Sequence, residues 1–336
     1  MHLNKILLSF FLLAYAFTRA DAFLWFGGET RRNTAVMEEA RAAYARSDYA
    51  AAVDIMEEFL LKNSSKQYLR EAYDIIGRSY KMQGAYDKAL LKYGEAVEFF
   101  PNDIPLNLAL ADIYYIGGLN GKAVQLYDKV LKLDGDNLPA RLALARAYLA
   151  EGYFTKAAQY FRGYLDGGGS ADADFYYDYA SALFMANDYG GALDMAQKSA
   201  VLKTHAKTSF LIAKIYKAAG EENRAFDFIA AAGAQEGADD EILLTRALWL
   251  AVGDGWRESI AIADNYLKTS PRNKLALFIK YIALSRAGRA KEGLKYLRII
   301  AEQDGNSGSG LIQNLARKIL KTPQPPSSVK TSNLKI

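Results

Sequence analysis

Apolar and polar positions recur along this chain with a fixed period of 34 residues between Arg70 and Gly169. In the first copy Tyr73, Ile76, Gly77 and Tyr80 are followed by Ala89, Tyr93, Ala96 and Pro101. The second copy places Leu110, Ala111, Tyr114, Ala123, Tyr127 and Val130 at the matching positions, and the third Leu144, Ala145, Tyr148, Ala157, Phe161 and Tyr164. Within each copy the apolar residues fall at helical offsets, in two segments of about a dozen residues. The segments are separated by Gln83-Gly84-Ala85-Tyr86, Gly117-Gly118-Leu119-Asn120 and Glu151-Gly152-Tyr153-Phe154, so a glycine stands where the first helix must stop. Helices this short are marginal alone in water and need neighbours to bury their apolar stripes. Gly77, Ala111 and Ala145 in the first helices, and Ala89, Ala123 and Ala157 in the second, mark where axes come closest. At an axial separation of roughly 8–10 Å no large side chain fits there. The pattern predicts a stacked array of helical hairpins.

The size pattern from Tyr73 to Pro101 (aromatic, apolar-Gly, Tyr, Ala, aromatic, Ala, Pro) resembles the tetratricopeptide repeat, TPR. The resemblance implies an all-α, right-handed superhelical solenoid of about eight hairpins. The same template places a first repeat at Asn33–Ser65 and later ones at Ala173–Lys203, Ala206–Gly237, Asp240–Pro271 and Lys274–Gly305. The array is thus expected over 33–308. In the eighth repeat Tyr281 takes a small position and Gly293 replaces an alanine, a swap expected to conserve volume. Asp166–Ala171, with three adjacent glycines, is expected to be loop. Leu311, Ile312, Leu315 and Ile319 have helical spacing and predict a capping helix over 309–320 that closes the last repeat.

The ends bring a different chemistry. Met1–Ala22 has a short positive start, an uncharged run from Ile6 to Phe17, and Ala20-Asp21-Ala22 at its end, the marks of a cleaved secretory signal. The run is short for a bilayer core that needs about 20 residues. A bulky apolar segment, Phe23-Leu24-Trp25-Phe26, opens the stretch 23–32. From Leu311 onward there are five cations and no acidic residue, which makes 321–336 an expected disordered basic tail, a possible contact for an anionic envelope surface. The chain has no cysteine, which suits an exported protein without disulfides and excludes a lipid-modified cysteine. Together with the repeats, this resembles exported bacterial proteins of the periplasm or envelope.

Composition gives no support to catalysis. With two histidines and no cysteine, Cys–His chemistry and a Cys/His zinc site have no basis, and the glycine runs lack the Lys-Ser/Thr of a phosphate loop. No enzyme activity, cofactor, metal or nucleic-acid partner is expected; the net charge of +4 is small. The resemblance instead implies a concave groove lined by the first helix of each repeat. Its groove positions carry Arg78 and Lys81, Tyr115, Arg146, Tyr177 and Phe184, then Lys207, Phe210, Lys214 and Lys217. The rings are expected to stand exposed as anchors, and the three lysines of the sixth repeat to attract a segment with acidic and apolar side chains. The paired Lys and Asn by which some members clamp an acidic chain end are absent. Two functions fit: an envelope scaffold binding a protein or peptide in the groove, or a carbohydrate-facing accessory protein using Trp249 or Trp256.

Overall fold

The computed structural model describes residues 30–62, 66–303 and 310–321, and every regular element among them is helical. The expected signal (1–22), the Phe23–Phe26 cluster and the tail beyond Lys321 lie outside the described residues. The chain divides into two compact units, Met1–Ser170 and Ala171–Ile336, and the division falls in the glycine-rich Asp166–Ala171 stretch.

The first unit is four hairpins: α1 (30–45) with α2 (Tyr49–Lys62), α3 (Lys66–Met82) with α4 (Tyr86–Phe99), α5 (Ile104–Ile116) with α6 (Asn120–Leu133), and α7 (Leu138–Ala150) with α8 (Phe154–Asp166). Local chemistry sets the start of the later first helices. Asp103 accepts from the Leu106 N–H at 3.0 Å and Asn137 from the Ala140 N–H at 3.0 Å, each followed by a proline that suits the first helical turn. The turns inside the hairpins need a left-handed residue. Gly84, Gly118 and Gly152 have φ of 73°, 72° and 80°. There the next N–H returns to the carbonyl of Tyr80, Tyr114 or Tyr148. A cation eight residues after each of these tyrosines then covers its ring: Lys88 on Tyr80, Lys122 on Tyr114 and Lys156 on Tyr148, at 5.4, 5.1 and 5.2 Å. Ala89, Ala123 and Ala157 are fully buried. Gly77 is required by packing, since a methyl group there would stand 2.5 Å from the Tyr93 ring.

The second unit repeats the plan with α9 (Ala173–Met185) and α10 (Tyr189–Leu202), α11 (Ala206–Ala218) and α12 (Glu222–Ala234), α13 (Asp240–Val252) and α14 (Trp256–Thr269), α15 (Lys274–Arg286) and α16 (Ala290–Glu302). The volume swap of the eighth repeat is realised: Gly293 faces Tyr281, whose ring would lie 2.9 Å from any added methyl. A last helix, α17 (Gly310–Lys321), packs Ile312, Leu315, Ile319 and Leu320 on the core of α15 and α16. It also satisfies the end of α16, because Gln313 and Arg317 donate to the Ala301 carbonyl at 3.4 and 3.1 Å. Arg317 thus works within the capping helix, where the sequence placed it.

Candidate functional site

In the first unit the sequence-predicted cations are already engaged. Arg78 on α3 sits 3.0 Å from Asp74 and 5.2 Å over the Tyr44 ring. Lys81 reaches Asp112 on α5 at 3.4 Å, and the same carboxylate accepts the Tyr127 hydroxyl at 2.7 Å. Arg41 on α1 holds Glu71 on α3 through two nitrogens, at 2.5 and 2.7 Å. Burial pushes the Asp74 carboxyl above its ordinary range, against the pull of Arg78 and Arg70. Tyr115 on α5 and Arg146 on α7 are half-buried, and neither is free of contacts. This face links one repeat to the next through its own charges.

The second unit sorts the predicted residues into two depressions. The smaller, of about 250 Å³, takes Tyr177 of α9 and Lys207 of α11, beside Asp174, His205 and Thr208. His205 caps α11, its Nδ1 accepting the Lys207 N–H at 3.2 Å. Burial raises the Tyr177 hydroxyl above its usual range. Lys207 is thereby separated from the other two lysines of its helix: seven and ten residues apart on α11, they open on different hollows.

The larger is a cleft of about 740 Å³ between α9, α11 and α13, with the start of α12 at its side. It gathers Phe184, Phe210, Lys214 and Lys217, together with Phe226, Leu248, Trp249 and Val252. Phe226 meets the Trp249 indole edge-on at 6.3 Å. Lys217 lies 5.5 Å from the Phe226 ring centre and 5.6 Å from that of Trp249, and it pairs with Glu222 at 2.8 Å. The hydrogen bond from Lys217, with its charge, holds the Glu222 carboxyl below its ordinary range. Lys214 lies 4.4 Å over the Phe210 ring.

One expectation fails here. Phe210 is only 5% exposed and belongs to a core cluster with Ala213, Ile229 and Ile242, so it is a floor and not a standing anchor. Phe184 is half-buried against Tyr189, at 6.0 Å. The rings that offer area to the cleft are Trp249, Phe226 and Phe184, of which groove positions signalled only Phe184. Phe226 lies on a second helix, α12, and escaped that count. Trp256 is half-buried under Arg257, at 4.4 Å, and does not line the cleft. Among the described residues no three His, Cys, Asp or Glu side chains are grouped to hold a metal ion, and no helix is long and apolar enough to cross a membrane.

Comparison with known proteins bears on the array. Residues 37–104 match one tetratricopeptide-repeat family and residues 118–166 another. No curated protein matches the sequence. Among solved structures, the chain is similar to a tetratricopeptide repeat protein of Parabacteroides merdae ATCC 43184, at 14% identity over 75% of this chain and 98% of that one, TM-score 0.54. The C-terminal part of a TPR repeat-containing protein from Cytophaga hutchinsonii is similar at 17% identity, covering 78% and 99%, TM-score 0.50. PilW, a widely conserved type IV pilus biogenesis factor, is similar at 20% identity, covering 63% and 97%, TM-score 0.52. Identities at this level speak to fold alone. Both family matches fall in the first unit, which is thus built of tetratricopeptide repeats, and the second unit carries the same helical hairpins.

Proposed function

We propose that this protein is a non-catalytic interaction scaffold, and that the cleft between α9, α11 and α13 takes an extended segment of a partner protein. The observation that carries this is the collection of Trp249, Phe226, Phe184 and Leu248 around one open hollow, where a self-contained repeat would bury or replace them. Aromatic side chains in such a hollow are the usual anchors of binding energy. Two lysines and two glutamates, Glu222 and Glu241, line the same walls, a mixture that suits a polypeptide segment better than a neutral glycan. We further propose that the scaffold works in the bacterial envelope, on the strength of the Met1–Ala22 sequence.

Paired capture tests the reading. Wild type and Trp249→Ala are used as baits on an envelope fraction of the native host, with melting curves measured in parallel. The reading expects a discrete partner on the wild type, at least tenfold less of it on the variant (about 1.4 kcal/mol), and, because Trp249 also packs against the core, a lowered but still cooperative melt that leaves the variant folded at the capture temperature. Equal capture by both proteins would contradict it.

A further inference from the structure

We propose that the segment held in this cleft presents a carboxylate to Lys214, so that Lys214 decides which partners are accepted; this rests on the reading of the cleft given above. The three lysines of α11 look alike in the sequence, but the structure separates them. Lys207 opens on the smaller hollow, and Lys217 is neutralised by Glu222 at 2.8 Å. Lys214 is half-buried and lines the cleft, and among the described residues it takes part in no ion pair. Its ammonium rests on the face of Phe210 at 4.4 Å.

A half-buried ammonium is costly to keep without a counter-charge, and a ring face supplies only part of what a carboxylate would. Glu241, exposed in the first turn of α13, lines the same cleft but makes no ion pair with Lys214, so the half-buried ammonium has no ion-pair partner among the described residues although the lining as a whole carries two lysines and two glutamates. The other rings that line the same cleft, gathered around Lys217, fix what flanks the carboxylate. An apolar side chain next to it would lie against Trp249 and Phe226, and the Lys217–Glu222 pair would close the side. The ligand class is therefore a peptide with a bulky apolar residue beside a carboxylate. An Asp or Glu side chain and a chain end present the same chemistry.

Peptide libraries distinguish the two sources and test the assignment. One library is tethered through its N-terminus with free carboxyl ends; the other is tethered through its C-terminus, leaving only side-chain carboxylates. Both are selected on the full-length protein, and the best peptide is remade with Gln or Asn for its acidic residues and, separately, with a terminal amide. Neutralising the carboxylate that matters should weaken binding to wild type at least tenfold and to Lys214→Met less than twofold. Lys214→Arg should restore the discrimination. Binding to wild type should also weaken with salt, and binding to Lys214→Met should not. Enrichment confined to the first library, with loss on amidation, identifies the chain end; enrichment in both identifies a side chain. Equal loss on wild type and Lys214→Met, or no loss on either, overturns the assignment while leaving the cleft reading standing. Selection of no peptide, or undiminished binding to Trp249→Ala, removes the cleft reading and the assignment with it.

Discussion

The two units of this chain are built from the same hairpin and use its first helices differently. In the first unit, α1, α3 and α5 are tied by Arg41–Glu71 and Lys81–Asp112, and α3 is joined to the cap of α5 by Arg70–Asp103 at 3.0 Å. In the second, the corresponding helices α9, α11 and α13 leave a hollow lined by rings and one unneutralised lysine. The difference shows how one repeat architecture can be made cohesive or receptive. Where basic residues meet acidic ones on the next repeat, as Arg41, Arg70 and Lys81 do, the face is spent on holding the stack together. Where they do not, charge and aromatic area remain for a partner.

The largest expected effect would break the second unit. Phe210→Ala removes a core ring and should cost about 3–5 kcal/mol, as large-to-small changes in cores do. Thermal melts followed by circular dichroism should show the loss. A melt unchanged within error would mean that the ring is dispensable and the floor of the cleft misassigned.

Next is the joint between α3 and α5. Asp103 caps α5 and receives Arg70 through two nitrogens, so Asp103→Ala should destabilise the first unit by about 1–2 kcal/mol, read as a lowered denaturation midpoint. Its pH dependence has a definite sign. Burial alone would raise the Asp103 carboxyl, but the hydrogen bonds from Arg70 and the Leu106 N–H prevail and leave it below its ordinary range. The stabilisation is then complete above the unfolded value, about 3.9 for aspartate, and is lost as pH falls through the lower folded one. Asp74, raised by burial, works in the opposite sense within the same unit. Stability titrations of wild type and Asp103→Ala should therefore converge only in the acid range. A gap between them that stays constant down to pH 2 would contradict the pairing.

The smallest effect concerns the turns. Removing the cation over Tyr114 by Lys122→Ala should cost about 0.5–1 kcal/mol. The same change at Lys132, which covers no ring, should cost less. Equal losses from the two would show that the recurring Tyr–Lys spacing is incidental.

Much of the fold was legible because repeat geometry writes itself into size. Alanine or glycine is forced wherever helix axes approach, and the turn glycines are forced by positive φ, so Gly77, Ala123 and Gly152 could be placed from the sequence. The site was less legible. Groove positions of an average repeat identify which residues share a face, but not whether a side chain lies down or stands up. Phe210 lies down beneath Lys214, and Lys81 turns to Asp112. Phe226 was missed because it lies on a second helix, and Trp249, named from the sequence only as a carbohydrate contact, falls outside the groove count because it follows that register by one residue. In the seventh repeat the C-cap Gly253 is extended (φ −82°, ψ −151°) and the next residue, Asp254, lacks the positive φ that Gly118 has at the matching place, so the C-terminal end of α13 does not follow the regular template.

Site-specific cross-linking tests the central claim most directly, that partners engage the second unit's cleft and not the self-paired face of the first. A photoreactive phenylalanine is placed at Val252, in the cleft, or at Arg78, on the paired face, and irradiated in cells of the native host. The account predicts a discrete adduct from position 252 that disappears when Trp249→Ala is added, and none from position 78. An adduct from position 78 alone, or one from 252 that survives Trp249→Ala, would contradict it.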